Sequence, residues 1–485
     1  MAEDEYKDKE LLLFQLGPVQ EFIAQAETTG DLKAGSELLS ELTAEALKKI
    51  EWKTPSGESK GYWNDDVAVF PAVEKDRLGG IPNRFLVFVP EGTGEYNAKM
   101  ALGAASDKLQ TIANEAKKKL PEDRRAAFDR QVEAFLQTTW AVLKSPTGNM
   151  GEDYKAIGKL MAMRRNVRAF TSWPEEDYGE VKDFLSGKEA ALDIKSDRSN
   201  KNSGRGAMNL IKKHCAELLK LPDLGKYIAV IALDGDHMGE KLSGFTRKEE
   251  HREFSRKLAA YAASVKIAPE DGVLVYAGGD DVLAVVKAGK AFGIAEELAK
   301  SFVKEVNEPG ERKVTASVGV AIGSAKAPLQ DLVQEARNAE GRAKHVYGRD
   351  ALAVSVLKRS GEILHWGCRW KTDELERSPA LEIYDKLTKS KDRLAGFAYK
   401  LAGFLEPYEL GRRGKDGKLL ADWESLKGVM CADTLHSLMQ TEKAKGVLTE
   451  ADIKAYLNND KTLAEHPEDF LGLFLCESFI NRPRD

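Results

Sequence analysis

Residues 273–286 read Val-Leu-Val-Tyr-Ala-Gly-Gly-Asp-Asp-Val-Leu-Ala-Val-Val, two apolar runs that meet at Gly278-Gly279-Asp280-Asp281. Glycine tolerates positive φ and the flanking runs suit strands, so the stretch predicts a β-hairpin. Its charge constrains it further. Adjacent carboxylates at a strand junction repel each other and resist desolvation, so they need a counter-ion. Mg²⁺, or Mn²⁺ in its place, is a hard cation that takes carboxylate oxygens and substrate phosphates. Glycine beside the acids removes the Cβ that would keep phosphates off the backbone. A merely solvated hairpin tip, where Asp and Gly are also common, would not need Gly-Gly between two apolar strands.

A second run fits the first. Tyr227-Ile-Ala-Val-Ile-Ala-Leu233 reads as a buried strand that ends in Asp234-Gly235-Asp236-His237-Met238-Gly239. A helical pattern follows over 249–265, and a helix entrance after a glycine-containing turn can bind phosphate. If this strand pairs beside the hairpin, Asp234, Asp280 and Asp281 converge at one sheet edge. Such a carboxylate set serves nucleotidyl transfer with two metal ions.

The order strand, helices, hairpin, helix occurs twice. It runs as 11–16, 19–50, 67–89 and 98–119, then as 228–233, 249–265, 273–286 and 290–306, which predicts a duplicated α/β domain. The first strand ends in Gln15-Leu16-Gly17-Pro18 and its hairpin region, 69–88, lacks Gly-Gly-Asp-Asp. The first copy is therefore expected to be catalytically empty. Val314–Ile322 reads as a further strand and 328–346 as a helix. Four regions are expected: 1–150 the first α/β domain, 151–225 helical, 226–360 the second α/β domain, and 361–485 a C-terminal helical domain. The polar stretch 195–206 reads as a loop, and 411–418 as a basic loop in the helical tail.

With 73 basic and 78 acidic side chains, the net charge of −5 argues against a free-standing nucleic-acid binder. The charged start does not read as a signal peptide, and no apolar run approaches a membrane span. Cys215, Cys368, Cys431 and Cys476 form no CxxC pair, which predicts neither a zinc motif nor a disulfide framework, and a reducing cytoplasm is the expected home.

Several segments in this order resemble the large, polymerase-like subunit of type III CRISPR effector complexes in its Cmr-type (III-B) form. Leu16–Ile23, Asp31–Leu39 and Gly80–Phe85 resemble that subunit's first palm domain. Leu233–Gly239, Ala277–Val282, Thr315–Val320 and Gly348–Leu352 resemble its second, active palm. The resemblance implies an α/β (α+β) fold: two palm, ferredoxin-like nucleotide-cyclase domains, an intervening helical subdomain and a C-terminal helical domain. It implies synthesis of cyclic oligoadenylate from ATP, in a complex with other subunits, guide RNA and target RNA. None of the seven histidines is followed by aspartate. The resemblance therefore points to a form without the HD nuclease, which does not cut DNA. The stretches 181–190 and 204–212 lack the cysteines of the family's zinc site, so no zinc is expected and packing should hold the subdomain.

On this reading Asp234, Asp280 and Asp281 carry the catalysis and hold two metal ions. Gly235, Asp236, His237, Met238, Gly239, Gly278, Gly279 and Lys344 bind the nucleotide, with Lys33, Ser36 and Arg84 of the first palm on the acceptor ATP. Each has a plainer role too. Asp236 could equally be an acid that supports the metal ligands without binding the ion, or an N-cap, Lys344 a surface lysine with a packed stem, and Lys33, Ser36 and Arg84 caps and surface charge. Two other functions stay open: joining AMP to S-adenosylmethionine, and an RNA-organising subunit without catalysis. A free-standing diguanylate cyclase would leave the duplicated palm unexplained.

Overall fold

The computed structural model describes residues 8–480 except 55, 74, 76–79, 168–180, 197–201, 309–312, 391–394, 421 and 442–445. Part of the expected 195–206 loop lies outside the described residues. The chain divides into two compact units. One comprises 1–222, 237–266 and 273–282, the other 223–236, 267–272 and 283–485.

In the first unit, strand β1 (Lys9–Gln15) precedes helices α1 (Gln20–Ala24) and α2 (Thr29–Lys48). Short strands β2 (Glu51–Lys53), β3 (Ser59–Gly61) and β4 (Ala68–Phe70) follow, then β5 (Arg84–Pro90). Next come α3 (Gly94–Lys117), α4 (Glu122–Glu133), β6 (Thr139–Leu143) and α5 (Met150–Asn166). The main sheet has the order β4-β5-β1-β6. β1 runs antiparallel to both neighbours, with Leu13 opposite Leu86 and Ala141. Alternate residues of β1 face opposite sides of the sheet. Leu11 and Leu13 join Phe88 and Ile157 in one core, while Phe14 stacks on Phe85 at 4.8 Å. Thr28 and Asp31 start α2 with reciprocal side-chain to backbone bonds, which satisfy amides that the first turn leaves open.

The described residues of the 151–225 stretch hold strands as well as helices: the end of α5, two-residue strands β7 (Lys195–Ser196) and β8 (Asn202–Ser203), and α6 (Ala207–Ala216). More than packing joins its two halves. The buried Asp183 carboxylate accepts the amides of Leu185 (2.8 Å), Ser186 (2.7 Å) and Gly206 (2.6 Å), and the Asn209 side chain at 3.0 Å.

In the second unit β9 (Tyr227–Gly235) lies antiparallel to a later strand, β12. Between them in sequence come α7 (Met238–Gly244), α8 (Lys248–Ser264) and β10 (Gly272–Gly278), which belong to the first unit apart from Gly272, then β11 (Asp281–Lys287) and α9 (Ala291–Val306). β12 (Ala316–Ser324), α10 (Leu329–His345), β13 (Ala351–Leu357) and β14 (Ile363–Arg369) follow. β11, β9, β12, β13 and β14 are successive neighbours, with β12–β13 parallel and β13–β14 antiparallel. The order β11-β9-β12 repeats β5-β1-β6 of the first unit. A Cβ on Gly319 of β12 would lie 2.1 Å from backbone atoms of Ala336 and Glu340, so glycine here lets α10 lie directly on the strand.

The residues from 361 onward do not begin as helix: β14 belongs to the sheet. Leu364, Trp366 and Cys368 alternate on its buried face, a period-two signal present in the sequence. The remaining helices are α11 (Pro379–Lys389), α12 (Ala395–Leu405), α13 (Trp423–Met439), α14 (Glu450–Asn459) and α15 (Glu468–Ile480). α15 packs on β14, with no room for a Cβ on Gly472, 2.3 Å from the His365 carbonyl. All four cysteines are free.

Candidate functional site

Two places carry the expected chemistry. The first is the exit of β9 in the second unit. Asp234 stands opposite Ser317 in the β9–β12 ladder and is partly exposed, while the preceding six residues are buried. Lys344, in the last turn of α10, donates to Asp234 and reaches Glu340 Oε1 at 2.7 Å. Burial by itself would lower the Lys344 pKa, but the bonds to Asp234 and Glu340 outweigh it and hold the ammonium above its ordinary value. Burial pushes the Glu340 carboxyl up in turn.

Asp236 behaves differently. Only 1% exposed, its carboxylate accepts the hydroxyls of Thr315 and Ser317, each at 2.7 Å, and the Asp350 amide at 3.0 Å. It is neither an N-cap nor turned out to meet a nucleotide. His237 takes the N-cap position of α7, without a side-chain cap, at φ 57°. In Asp234–Gly239 the left-handed residue is thus the histidine, and neither Gly235 nor Gly239 has positive φ. His237 Nδ1 lies 3.3 Å from Glu240, and Met238 is buried.

The second place lies in the first unit. β10 ends at Gly278 and β11 begins at Asp281, leaving Gly279 (φ 68°) and Asp280 as the connection the sequence predicts. Tyr276 donates its hydroxyl to Asp281 Oδ2 at 2.8 Å. The Gly80–Pro82 loop lies against Ala277 and Gly278, where Cβ atoms would stand 3.6–4.0 Å from the facing backbone. Lys33 donates to the Leu274 carbonyl at 3.3 Å and lies 3.3 Å from Glu37, which sets α2 along β10. These elements wall an open cavity of about 2380 Å³ whose lining includes Lys33, Ser36, Gly80, Gly278 and Asp281.

Arg84 is not brought there. It faces Gln15 across the β1–β5 ladder, with its guanidinium 5.5 Å from the Phe70 ring centre. Among the described residues no group of three or more His, Cys, Asp or Glu side chains is arranged to hold a metal ion. At the β9 exit the Lys344 ammonium neutralises Asp234. The donors that remain, Asp234, Asp280 and Asp281, are hard carboxylate oxygens of the kind Mg²⁺ takes.

Sequence reasoning missed Lys212. This lysine is 1% exposed, donates to the carbonyls of Phe22 (2.8 Å) and Gln25, and lies 4.4 Å from the Phe22 ring centre. It ties α6 to the end of α1, whose Gln20, Glu21 and Ile23 line the same cavity. Burial pulls its pKa down to about 7 despite Asp31 and Asp183 nearby.

Comparison with known proteins decides the family. Residues 227–353 match the second palm domain of Cas10/Cmr2, and residues 11–127 match the N-terminal domain of the CRISPR-associated protein Cmr2. The chain belongs to the Cas10/Cmr2 family. It is 32% identical to the CRISPR system Cmr subunit Cmr2 of Pyrococcus furiosus over 168 residues, 28% of this chain and 19% of that protein. It is 26% identical to the subtype III-A single-strand-specific deoxyribonuclease Cas10/Csm1 of Streptococcus thermophilus over 38% of this chain and 24% of that one. These matches span less than a quarter of either relative. Among solved structures, the apo state of the type III-B Cmr-beta complex contains a chain similar in fold, with a TM-score of 0.63 and 9% identity over 94% of this chain and 79% of that one. Csm1 of T. onnurineus gives 0.51 and 14% over 97% of this chain and 70% of that one. The Csm1-Csm4 cassette in complex with pppApApA gives the same values. The Cas10/Cmr2 match takes in Asp234, Asp280, Asp281 and Lys344, and the Cmr2 match takes in Lys33, Ser36 and Arg84. Among the described residues no helix is long and apolar enough to cross a membrane.

Proposed function

We propose that this chain is a palm-type nucleotidyltransferase that works as a subunit of an RNA-guided type III CRISPR effector complex. On binding of target RNA it joins ATP molecules through 3′–5′ bonds into cyclic oligoadenylate. One observation carries the reading. The cavity of about 2380 Å³ is more than twice the ~1000 Å³ upper range of a pocket for one small molecule, and its wall includes Asp281, Gly278, Lys33 and Ser36. It has room for two nucleotides beside a carboxylate.

The residues divide the work between them. Lys33 and Ser36 hold the acceptor nucleotide. Gly278 and Gly279 admit phosphate to the backbone of the turn, and Lys344 neutralises the triphosphate. Tyr276 orients the Asp281 carboxylate. Asp234, Asp280 and Asp281 would hold two divalent ions, which when bound supply charge neutralisation and a more acidic 3′-hydroxyl. The new bond joins that 3′-oxygen to an α-phosphorus, the α–β bond breaks, pyrophosphate leaves and the hydroxyl proton passes to water. The chain's partners on this reading are the other subunits of the complex, guide RNA and target RNA.

The deciding experiment incubates the assembled complex with labelled ATP and Mg²⁺, with and without target RNA and S-adenosylmethionine. Cyclic oligoadenylate formed only with target RNA is the expected result. No nucleotide product under any condition would overturn the proposal. A product that incorporates S-adenosylmethionine would keep the transfer chemistry and replace the acceptor.

A further inference from the structure

Gly348, Arg349 and Asp350 have φ angles of 76°, 67° and 47°. Glycine takes such angles freely, but arginine and aspartate do so only when their surroundings hold them there. This turn joins α10 to β13. Its backbone is fixed at one end by the Arg349 amide on the Ala343 carbonyl (3.0 Å) and at the other by the Trp370 amide on the Asp350 carbonyl (2.9 Å). In the middle, the Asp350 amide donates to Asp236. Asp236 also takes the Thr315 and Ser317 hydroxyls, and its own amide donates to the Thr315 carbonyl at 2.8 Å. One buried carboxylate thus fastens the exit of β9, the entrance of β12 and the strained turn.

Two acids in Asp234-Gly235-Asp236 therefore engage the same connection. Asp234 meets it through Lys344, four residues before Gly348, and Asp236 through the Asp350 amide. We propose that Asp236 is a positioning residue: by pinning the 348–350 turn it fixes the end of α10, and so sets the Lys344 ammonium against Asp234. This rests on the proposed role of Lys344 in holding the triphosphate. Asp236 itself touches no substrate, because the two hydroxyls and the amide on its carboxylate all come from within the fold.

The test uses Asp236→Asn, which keeps the size of the side chain but cannot satisfy both hydroxyls and the amide as a carboxylate does. Lys344 is read out directly, by mass-spectrometric mapping of its acetylation in the full chain. It is read out functionally by the KM for ATP and by kcat in the assembled complex. Asp236→Asn is expected to speed Lys344 labelling several-fold and to lower kcat about tenfold, the equivalent of one lost interaction. Adding Asp350→Gly, which takes φ 47° without strain, is expected to restore both toward the values of Asp350→Gly alone. Thr315→Val removes the hydroxyl that shares Oδ2 with the Asp350 amide and should give a smaller change in the same direction. It also serves if Asp236→Asn fails to fold. Unchanged Lys344 labelling, or no recovery with Asp350→Gly, would overturn the proposal. A wild-type complex that makes no nucleotide product, while labelling responds as expected, would overturn the proposed function and leave the positioning role standing.

Discussion

β1 and β9 open the two halves of a repeated plan and differ where they end. Each sits between the second strand of a hairpin and a later strand, in the orders β5-β1-β6 and β11-β9-β12. β1 exits into Gln15-Leu16-Gly17-Pro18, and β9 into Asp234-Gly235-Asp236. The scaffold that places a side chain at the strand exit is the same, so the chemistry there rests on two or three residues and not on the fold. The exit in the first unit serves another purpose, since Gln15, Leu16 and Gly17 line its cavity. A strand exit without acids can still shape a binding wall.

The sharpest way to break this comparison is to remove the acids of the hairpin. Asp280→Ala with Asp281→Ala should lower product formation by at least about a hundredfold, the scale of losing a group that stabilises transition-state charge, while folding and complex assembly survive. Gln15→Ala, at the β1 exit that carries no acid, should cost far less. Equal losses, read by the same labelled-ATP assay, would mean that the β1 exit takes part in the chemistry as much as the hairpin acids do.

A second comparison sets two lysines side by side. Lys344 pairs with Asp234 at the β9 exit, and Lys33 lies along β10 in the cavity wall. If one holds the reacting triphosphate and the other the acceptor, Lys344→Met should lower kcat by about tenfold or more and Lys33→Met should mainly raise KM. Steady-state kinetics on the assembled complex separate the two. The reverse pattern would exchange their roles.

The sequence showed the hairpin, the β9 strand and the Lys344 helix because each is local: a turn signal, a buried run, a helical period. The paired strand exits were visible as an order of elements. What stayed hidden depended on partners far along the chain. Asp236 reads equally as a supporting acid or an N-cap until Thr315, Ser317 and Asp350 close around it. Arg84 sits in a motif beside Gly80–Asn83, yet strand register turns it toward Phe70. Lys212 looks like any helix lysine, and only the α1 carbonyls show why it is buried. β14 is the exception, since its alternation of Leu364, Trp366 and Cys368 was readable.

The subdomain between α5 and α6 offers a smaller effect of another kind. Asp183 gathers amides from both sides of the stretch, and losing a buried acceptor strands each of its donors. Asp183→Ala should destabilise the first unit by about 3 kcal/mol, the upper range for unsatisfied buried polar groups. Hydrogen exchange over 181–192 and 204–212 would report it. Unchanged protection there would show that packing alone holds the subdomain.

The gentlest contrast lies in how the two units respond to pH, because each buries a group that avoids its charge. Lys212 in the first unit has its pKa pulled down by burial to about 7. Asp469 in the second is pushed up to about 8, by burial first and by Glu468 and Asp460 after it, against the bond from Tyr347. Between about pH 7 and the ordinary lysine pKa near 10.4, unfolded Lys212 carries more protons than folded Lys212, so its contribution makes the first unit more stable as pH rises. Between the ordinary aspartate pKa near 3.9 and about pH 8, folded Asp469 carries more protons than unfolded Asp469, so its contribution makes the second unit less stable as pH rises. Each slope is at most about 1.4 kcal/mol per pH unit, that of one proton. Other groups titrate in both windows, so the measurement is a difference. Hydrogen exchange over α1 and α6 is compared between wild type and Lys212→Met, and over α15 between wild type and Asp469→Asn. The wild-type protection should gain on Lys212→Met as pH rises above 7 and lose ground to Asp469→Asn as pH rises toward 8. Parallel profiles for either pair would mean that the buried group titrates at its ordinary pKa, and that the opposition between the two units ends at their strand exits.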